Sequence, residues 1–399
     1  MVRQLTDVGS TRRWVMLAMS MLAQATSAFF IHGAAFLIPV LQDRGGLTLA
    51  EAGLVAAMPT VGVTLTLIAW GAAVDRFGER LILVSGLLLT GAAGIGAALA
   101  DGVVALCVFL LVGGMAAAST SSASGRVVVG WFPRHRRGLA MGIRQMAQPL
   151  GVGMAAFIVP TVASRAGIGA ALAVPAALAI LAAVLCQVLI MDPPRPTRAE
   201  AKLSGHLTNP YRQSSFLWRI HAVSVLLVVP QFTVWTFALV WLISDRDWSA
   251  PAAGLLVAAT QVLGALGRIA VGVLSDLVGS RMRPLRWVAI AAAITMLALA
   301  VTDQLDLSMS VVILVVATVV TVADNGLAFT SIAEVSGPFW SGRALGTQNT
   351  AQFLAASLVP PAMGAMITVL GFPLTFAITA LFPLLATPLV PAKEESALV

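Results

Sequence analysis

Charge is what this chain has least of. Only 10% of its 399 residues are Asp, Glu, Lys or Arg, against about 25% in an ordinary soluble domain. So few charges cannot cover a water-facing surface, which excludes a soluble enzyme. Disorder is excluded by the opposite excess, since 59% of residues are apolar. Tyrosine occurs once and cysteine twice. Cys107 and Cys186 both fall inside apolar runs, so they read as packing residues and no disulfide framework is expected. There is no metal-ligand spacing, no phosphate-binding Gly-x4-Gly-Lys-Ser/Thr loop and no Ser/His/Asp set. No cofactor, metal or catalysis is therefore expected, and uphill work would draw on an ion gradient rather than ATP.

What is present is apolar length. A bilayer-crossing helix needs ~20 mostly apolar residues. Twelve such runs are expected, at 14–40, 49–72, 81–100, 103–131, 138–162, 167–191, 217–243, 250–274, 286–303, 307–333, 343–369 and 371–391. They carry no amphipathic stripe, so they face lipid or one another. Nor do they alternate every second residue as barrel strands would. The first run is too long for a signal-peptide core and contains Gln24, His32 and Pro39, so it reads as an uncleaved helix. The expected fold is all-α and polytopic, with no room for a soluble catalytic domain.

The net charge of +7 and the pI near 10.8 would, alone, suggest a nucleic-acid partner. The basic residues are placed otherwise. With residue 1 cytoplasmic, 18 fall in cytoplasmic segments: Arg3, Arg12, Arg13, Arg76, Arg80, Arg134, Arg136, Arg137, Arg195, Arg198, Lys202, Arg212, Arg219, Arg281, Arg283, Arg286, Arg343 and Lys393. Only Arg44, Arg165 and Arg246 lie outside, and Arg126, Arg144 and Arg268 lie within helices. That bias is the positive-inside pattern of a cell-membrane protein with both termini cytoplasmic. No nucleic acid is expected. Trp14, Trp70, Trp131, Trp218, Trp241, Trp248, Trp287 and Trp340 fall at helix ends, as an aromatic belt would place them, and only Trp235 lies mid-span.

The polar, Pro-rich segment 192–216 divides the chain into residues 1–191 and 217–399, six runs in each. The halves echo one another. Gly71-x3-Asp75-x2-Gly78-x-Arg80 recurs 201 residues later as Gly272-x3-Asp276-x2-Gly279-x-Arg281. Gly142-x-Arg144-Gln145-x-Ala147-Gln148 recurs at an offset of 204 as Gly346-x-Gln348-Asn349-x-Ala351-Gln352. Duplicated halves with a midplane site are the architecture of secondary transporters. On these residues the whole chain resembles the major facilitator superfamily. Its most specific element is Gly71-Ala-Ala-Val-Asp75-Arg76-Phe-Gly78-Glu79-Arg80, similar to the family's loop between helices two and three. Glu79 departs from the pattern, standing where a basic residue is usual, and Leu277 replaces the arginine in the second copy. The resemblance implies twelve helices in two pseudo-symmetric six-helix bundles, alternating access, and a monomer in the lipid bilayer. Gly71 and Gly78 would permit tight turns and close helix approach. Asp75 would pair with a basic residue or a helix N-terminus of the opposite half, either as a gate or as a fixed loop anchor.

Ionisable groups inside a bilayer are functional candidates. Arg268 lies in the eighth helix with Gln261 at i−7, and the repeat sets Leu67 opposite it. It suits a carboxylate through a bidentate contact, or a structural pair with Asp324. Asp324, followed by Asn325, is the one acid well inside a span; it could carry a coupling proton or be neutralised by Arg268. Arg144, Gln148 and Gly151 share a face of the fifth helix, with Gln348, Asn349 and Gln352 in the eleventh. Arg144 and Arg126 either line a cavity or snorkel outward. His221, Ser224, Gln231 and Trp235 share a face of the seventh helix, with Trp235 a candidate cavity aromatic; His32 is a candidate proton or substrate contact, or a packing residue.

Two transporter classes compete. Trp131-Phe132-Pro133-x3-Arg137-Gly138-Leu139-Ala140-Met141-Gly142 and Gly267-Arg268-x3-Gly272-x3-Asp276 are similar to anion porters such as oxalate/formate exchangers and monocarboxylate carriers. By that resemblance Arg268 would contact a carboxylate on a small-molecule substrate. A multidrug or metabolite efflux antiporter is the alternative. Its early fourth-helix arginine is missing at Phe109–Val112, and Gln148-Pro149-Leu150-Gly151-Val152-Gly153 is a degenerate form of its fifth-helix motif.

Overall fold

The computed structural model describes residues 9–43, 46–194, 198–203 and 206–392. Arg3, Arg44, Arg195 and Lys393 of the charge count lie outside them. Every regular element among the described residues is helical. Ten stretches are long and apolar enough to cross a bilayer. Two of them, Arg134–Leu189 and Ser341–Leu389, run to 56 and 49 residues, enough for two crossings each. Each is broken by one glycine in the left-handed region, Gly167 at φ 90° and Gly371 at φ 77°. Ten stretches, two of them double, give the twelve expected crossings.

We number them α1 (Ser10–Asp43), α2 (Leu49–Phe77), α3 (Glu79–Ala98), α4 (Val103–Trp131), α5 (137–166), α6 (168–189), α7 (Phe216–Ser244), α8 (Ala250–Val278), α9 (Met282–Gln304), α10 (Met309–Ser336), α11 (341–370) and α12 (372–389). Four carry internal interruptions: a 3-10 turn at Ala34–Leu37 in α1, and turns at Met146 in α5, at Val322–Ala323 in α10 and at Ala380 in α12. Small residues let backbones meet within a half. Gly62 of α2 lies against the Leu111 carbonyl of α4, and Gly114 of α4 against Pro59 of α2.

The two halves meet on the face that carries the α2–α3 and α8–α9 connections. Their contact is built twice. Gly71 lies on the backbone of Gly342, while the Asp75 carboxylate accepts from the amides of Gly342 (2.7 Å) and Arg343 (3.0 Å) at the start of α11. Gly272 lies on the backbone of Gly138, while the Asp276 carboxylate accepts from the amides of Gly138 (2.9 Å) and Leu139 (2.9 Å) at the start of α5. Each aspartate caps a helix N-terminus of the opposite half, where the first amides lack partners and the dipole favours an anion. One turn deeper, Gly346 packs on Leu67 and Gly142 on Arg268 and Ile269.

This corrects the reading of Gly71–Arg80 as a loop. Helix α2 continues through Phe77, and the turn is Gly78 alone at φ 95°. Hydropathy falls earlier than the backbone does, because Asp75 and Arg76 occupy the last helical turn. Gly71 therefore serves close approach and not turning. The second copy behaves alike: α8 runs to Val278 and only Gly279, at φ 66°, is left-handed. Arg76 is exposed over the Phe77 ring, and Arg80 meets Asp192 only through its amide. Arg281 is the motif arginine that joins the contact, bonding Asp276 at 2.6 Å, Glu334 at 3.5 Å and the Arg134 carbonyl at 2.7 Å. Burial alone would lower the Arg281 guanidinium, but Glu334 and Asp276 outweigh it and hold it above its ordinary value.

Glu79 has a partner of its own. It is fully buried and pairs with Arg126 at 3.0 Å, and Arg126 also donates to the Pro338 carbonyl across the interface at 2.6 Å. In the other half Glu334 is buried too, and it binds Arg137 of the first half at 3.1 Å. The aromatic belt is likewise only partial. Trp218 and Trp287 are about half exposed, whereas Trp131 and Trp241 are buried, with their indoles on the Met191 carbonyl and Asp303.

A Cβ on Gly71 would overlap the Gly342 carbonyl oxygen. Gly71→Val should therefore part the halves on this face. A cysteine at the buried Ser341, slow to react with a water-soluble maleimide in the parent, should label readily when Gly71→Val is added. Unchanged slow labelling would contradict the packing argument.

Candidate functional site

Between the halves, beyond the closed face, lie two connected spaces that share Gln148, Phe232, Trp235, Phe353 and Ala356. The deeper is a polar pocket of ≈ 70 Å³ lined by Arg144, Gln145, Arg268, Gln231, Asn325 and Asn349, with Gln24 and Gln352. The outer is a chamber of ≈ 830 Å³ between α5 and α8 that reaches His32 and Gln261.

Arg268 is buried at the point where α8 meets α5. Its Nη1 donates to the Gln145 carbonyl at 3.0 Å, and its Nε to the Val322 carbonyl at 3.2 Å. Both acceptors exist because a helix is interrupted. Residue 149 is proline, so the Gln145 carbonyl has no amide donor four residues on. Val322 sits in the turn that splits α10, just before the helical piece Asp324–Ser336. Arg268 thus ties the two halves through carbonyls that broken helices leave open. Its Nη2 makes no hydrogen bond within the described residues.

Arg144 is held more completely. Its Nε and Nη2 donate to the Ser124 hydroxyl at 2.9 and 2.7 Å, its Nη1 to Gln145 Oε1 at 2.9 Å, and it lies 5.8 Å from the Phe329 ring of the other half. It sits in the second turn of α5 and not at its start, because the helix begins at Arg137. Gly151, grouped with it on one face, instead packs on Ala25 and Phe29 of α1.

The Arg268–Asp324 ion pair, the alternative to a substrate contact for Arg268, is not made among the described residues. Asp324 is 1% exposed, and neither carboxylate oxygen has a hydrogen-bond partner. It lies behind the pocket wall at the start of its helical piece, where its own first-turn amides and the nearby Arg268 charge are the favourable influences. Asn325 stands at the pocket in its place. It donates to Gln231 at 3.2 Å and accepts from Gln352 at 2.8 Å, linking α7, α10 and α11.

Gln148, Gln231, Gln261, Trp235, His32 and Asn349 all reach these spaces. Gln348 and Arg126 do not. Gln348 is fully buried on His221 at 2.6 Å, and His221 in turn meets the Tyr211 hydroxyl at 2.8 Å. Burial pushes that phenol up to about 12, so it remains a hydroxyl. The linker's one tyrosine thus holds the histidine that takes up Gln348, the group the repeat set opposite Arg144. Arg126 belongs to the closed face with Glu79. Gln24 and the serines Ser121 and Ser124 were not among the expected site residues, although the run Ser119-Thr120-Ser121-Ser122 in an otherwise apolar helix was a visible signal.

A model of the Major Facilitator Superfamily matches residues 16–360. The chain belongs to the major facilitator superfamily. It is a multi-pass membrane secondary transporter and not an enzyme. It is 49% identical over 393 residues to an uncharacterized MFS-type transporter of Mycobacterium tuberculosis, covering 98% of this chain and 87% of that one. It is 25% identical to the hexuronate transporter of Bacillus subtilis, over 60% of this chain and 59% of that one. To a protein of Cupriavidus necator named "Probable sulfoacetate transporter" it is 24% identical, over 82% and 81%. Among solved structures, the proton:xylose symporter XylE matches with a TM-score of 0.74 at 15% identity, over 98% of each chain. FucP in its outward conformation matches with a TM-score of 0.76 at 16% identity, over 95% of this chain and 98% of that one. These likenesses establish the fold.

The Arg268–Gln145 bond depends on Pro149. Pro149→Ala restores an amide that competes for the Gln145 carbonyl, at a first-turn position of the helical piece beginning at Ala147. The facilitator should show a protected amide at residue 149 in hydrogen exchange. An unprotected amide there would contradict this account of why Arg268 reaches α5.

Proposed function

We propose that this transporter moves a small organic anion by alternating access, with a proton as the coupling ion. The observation that carries the reading is the pair Arg268 and Arg144, which line one pocket into which no carboxylate projects. Against two guanidiniums in this desolvated site stands at most one acid, Asp324 behind the wall, so positive charge is left over, and a carboxylate or sulfonate answers it through charge-assisted hydrogen bonds. A lipophilic cation would meet repulsion instead, which disfavours efflux of such drugs. Hexuronate and sulfoacetate, named for two relatives, are both organic anions.

Asp324 is the proton-carrying candidate. Ionised, it offsets one arginine; protonated, it leaves both to the anion, so proton and anion binding favour each other. The motif face is cytoplasmic in this reading, by the distribution of basic residues, and so are both termini. The contact between residues 1–191 and 217–399 is then the inner gate, shut here, and its Asp75 and Asp276 caps break as the halves rock apart. The linker 192–216 spans that gate, and one monomer in the cell membrane suffices.

Purified protein screened by thermal stabilisation against small carboxylates and sulfonates should yield a ligand, because whatever binds the folded state raises its stability. Arg268→Gln should abolish that stabilisation while leaving the unliganded melting temperature within a few degrees. Ligand binding unaffected by the substitution would defeat the anion assignment. In proteoliposomes, Asp324→Asn should keep anion exchange at equal pH yet lose accumulation driven by a pH gradient. If that variant still accumulates anion with the gradient, Asp324 is not the proton carrier.

A further inference from the structure

The outer chamber differs sharply from the pocket below it. Helix α5 lines it with Pro149, Val152, Gly153 and Ala156, at i, i+3, i+4 and i+7, so one face of the helix is presented. Helix α8 presents the matching face, Ala258, Gln261, Val262 and Ala265, at the same spacing. Seven of these eight residues have no polar side chain. Leu150 and Val262 are 50% and 63% exposed, so apolar surface stands uncovered around the chamber. Of its polar side chains Gln148 and Trp235 are shared with the pocket, His32, Thr60 and Gln261 stand at the chamber alone, and the Ser357 hydroxyl is spent on its own helix at 2.8 Å.

Size and chemistry then separate. A pocket of ≈ 70 Å³ with two arginines accommodates an anionic head and little else. A chamber of ≈ 830 Å³ is the volume of a site for a drug-sized body, and its apolar walls reward an apolar one. We infer that the substrate is an amphipathic monoanion: its carboxylate or sulfonate lies at Arg268 and Arg144, and its alkyl or aryl body fills the chamber between α5 and α8. Such a ligand differs from the sugar acid and the short sulfonate named for the relatives, both polar throughout. The inference rests on the anion reading of the same site and specifies what the anion is attached to.

Gly153 supplies the test. A Cβ built on it meets no atom within 4 Å, so a larger side chain enters the chamber without striking the protein. The experiment uses the full-length protein in detergent, with binding of octanoate, acetate, sulfoacetate and octanamide measured in the parent, in Gly153→Leu and in Arg268→Gln. Octanoate should bind at least about tenfold more tightly than acetate or sulfoacetate, since each buried methylene adds affinity. Gly153→Leu should weaken octanoate about tenfold and leave acetate unchanged, and its unliganded melting temperature reports whether it folds. Octanamide, which is the same length but neutral, should bind no better than acetate. If acetate or sulfoacetate equals octanoate and Gly153→Leu changes none of them, the chamber is a vestibule: the amphipathic inference falls and the anion reading stands. If octanamide equals octanoate and Arg268→Gln alters neither, both fall together.

Discussion

The structure depends on one interaction made twice: an aspartate at the end of a helix in one half capping the start of a helix in the other. Asp75 holds α11 and Asp276 holds α5, each through two backbone amides between 2.7 and 3.0 Å. In an apolar surround these bonds satisfy four amides that would otherwise be stranded, and a stranded amide in hydrocarbon costs several kcal/mol. They require the helices to approach to backbone contact, which is why Gly71 meets Gly342 and Gly272 meets Gly138. They also fix where the cavity lies. With the halves pinned at one end, the remaining space between α5 and α8 belongs to the other end.

The same logic explains the intramembrane arginines. A guanidinium is tolerated inside a bilayer only where acceptors await it. Those acceptors are carbonyls freed by Pro149 and by the turn at Val322–Ala323, and hydroxyls of α4. Helix interruptions and arginines are therefore a matched set. Both the breaks and the charges sit at the interface between halves, where a rigid unbroken helix would leave no polar surface for a solute. Neutral acceptors satisfy hydrogen bonds but do not cancel charge, so the pocket keeps a positive potential even with every bond made.

Much of this was legible in the sequence. Twelve apolar runs give twelve crossings, because a bilayer imposes length and apolarity on each span with little dependence on neighbours. The repeated Gly-x3-Asp pattern was legible as well, and so was an aspartate facing a helix N-terminus. Helix ends were less so: hydropathy marks where charge begins, while the α-helix of α2 runs on through Asp75 to Phe77. Side-chain partners were the least legible. Gln348 looked equivalent to Arg144 at the repeat offset, but equivalence along the chain does not transmit what the other helices bring. His221, itself bonded to Tyr211, occupies Gln348. The Arg268–Asp324 pair failed for a related reason. Opposite charges on neighbouring helices suggest a bond, yet the interruption of α10 offers Arg268 a carbonyl and points Asn325, not Asp324, at the pocket.

Where the repeat is broken matters more than where it is kept. The kept elements, glycine pairs and capping aspartates, lie at the closed face and serve the two-fold contact itself. The broken ones fall into two groups. At the closed face each half carries its own buried ion pair at positions the repeat does not equate, Glu79 with Arg126 in one half and Arg281 with Glu334 in the other, so neither pair adds net charge there. In the pocket the compensation is partial at most, since two arginines line it and one acid, Asp324, lies near Arg268 behind its wall. Arg268 answers Leu67 and Arg144 answers Gln348, both changes adding positive charge to the same small space. A scaffold needs symmetry only to dock its halves. An excess of charge of one sign, kept in a site that a neutral side chain would fill at lower electrostatic cost, is the asymmetry on which the proposed anion site rests.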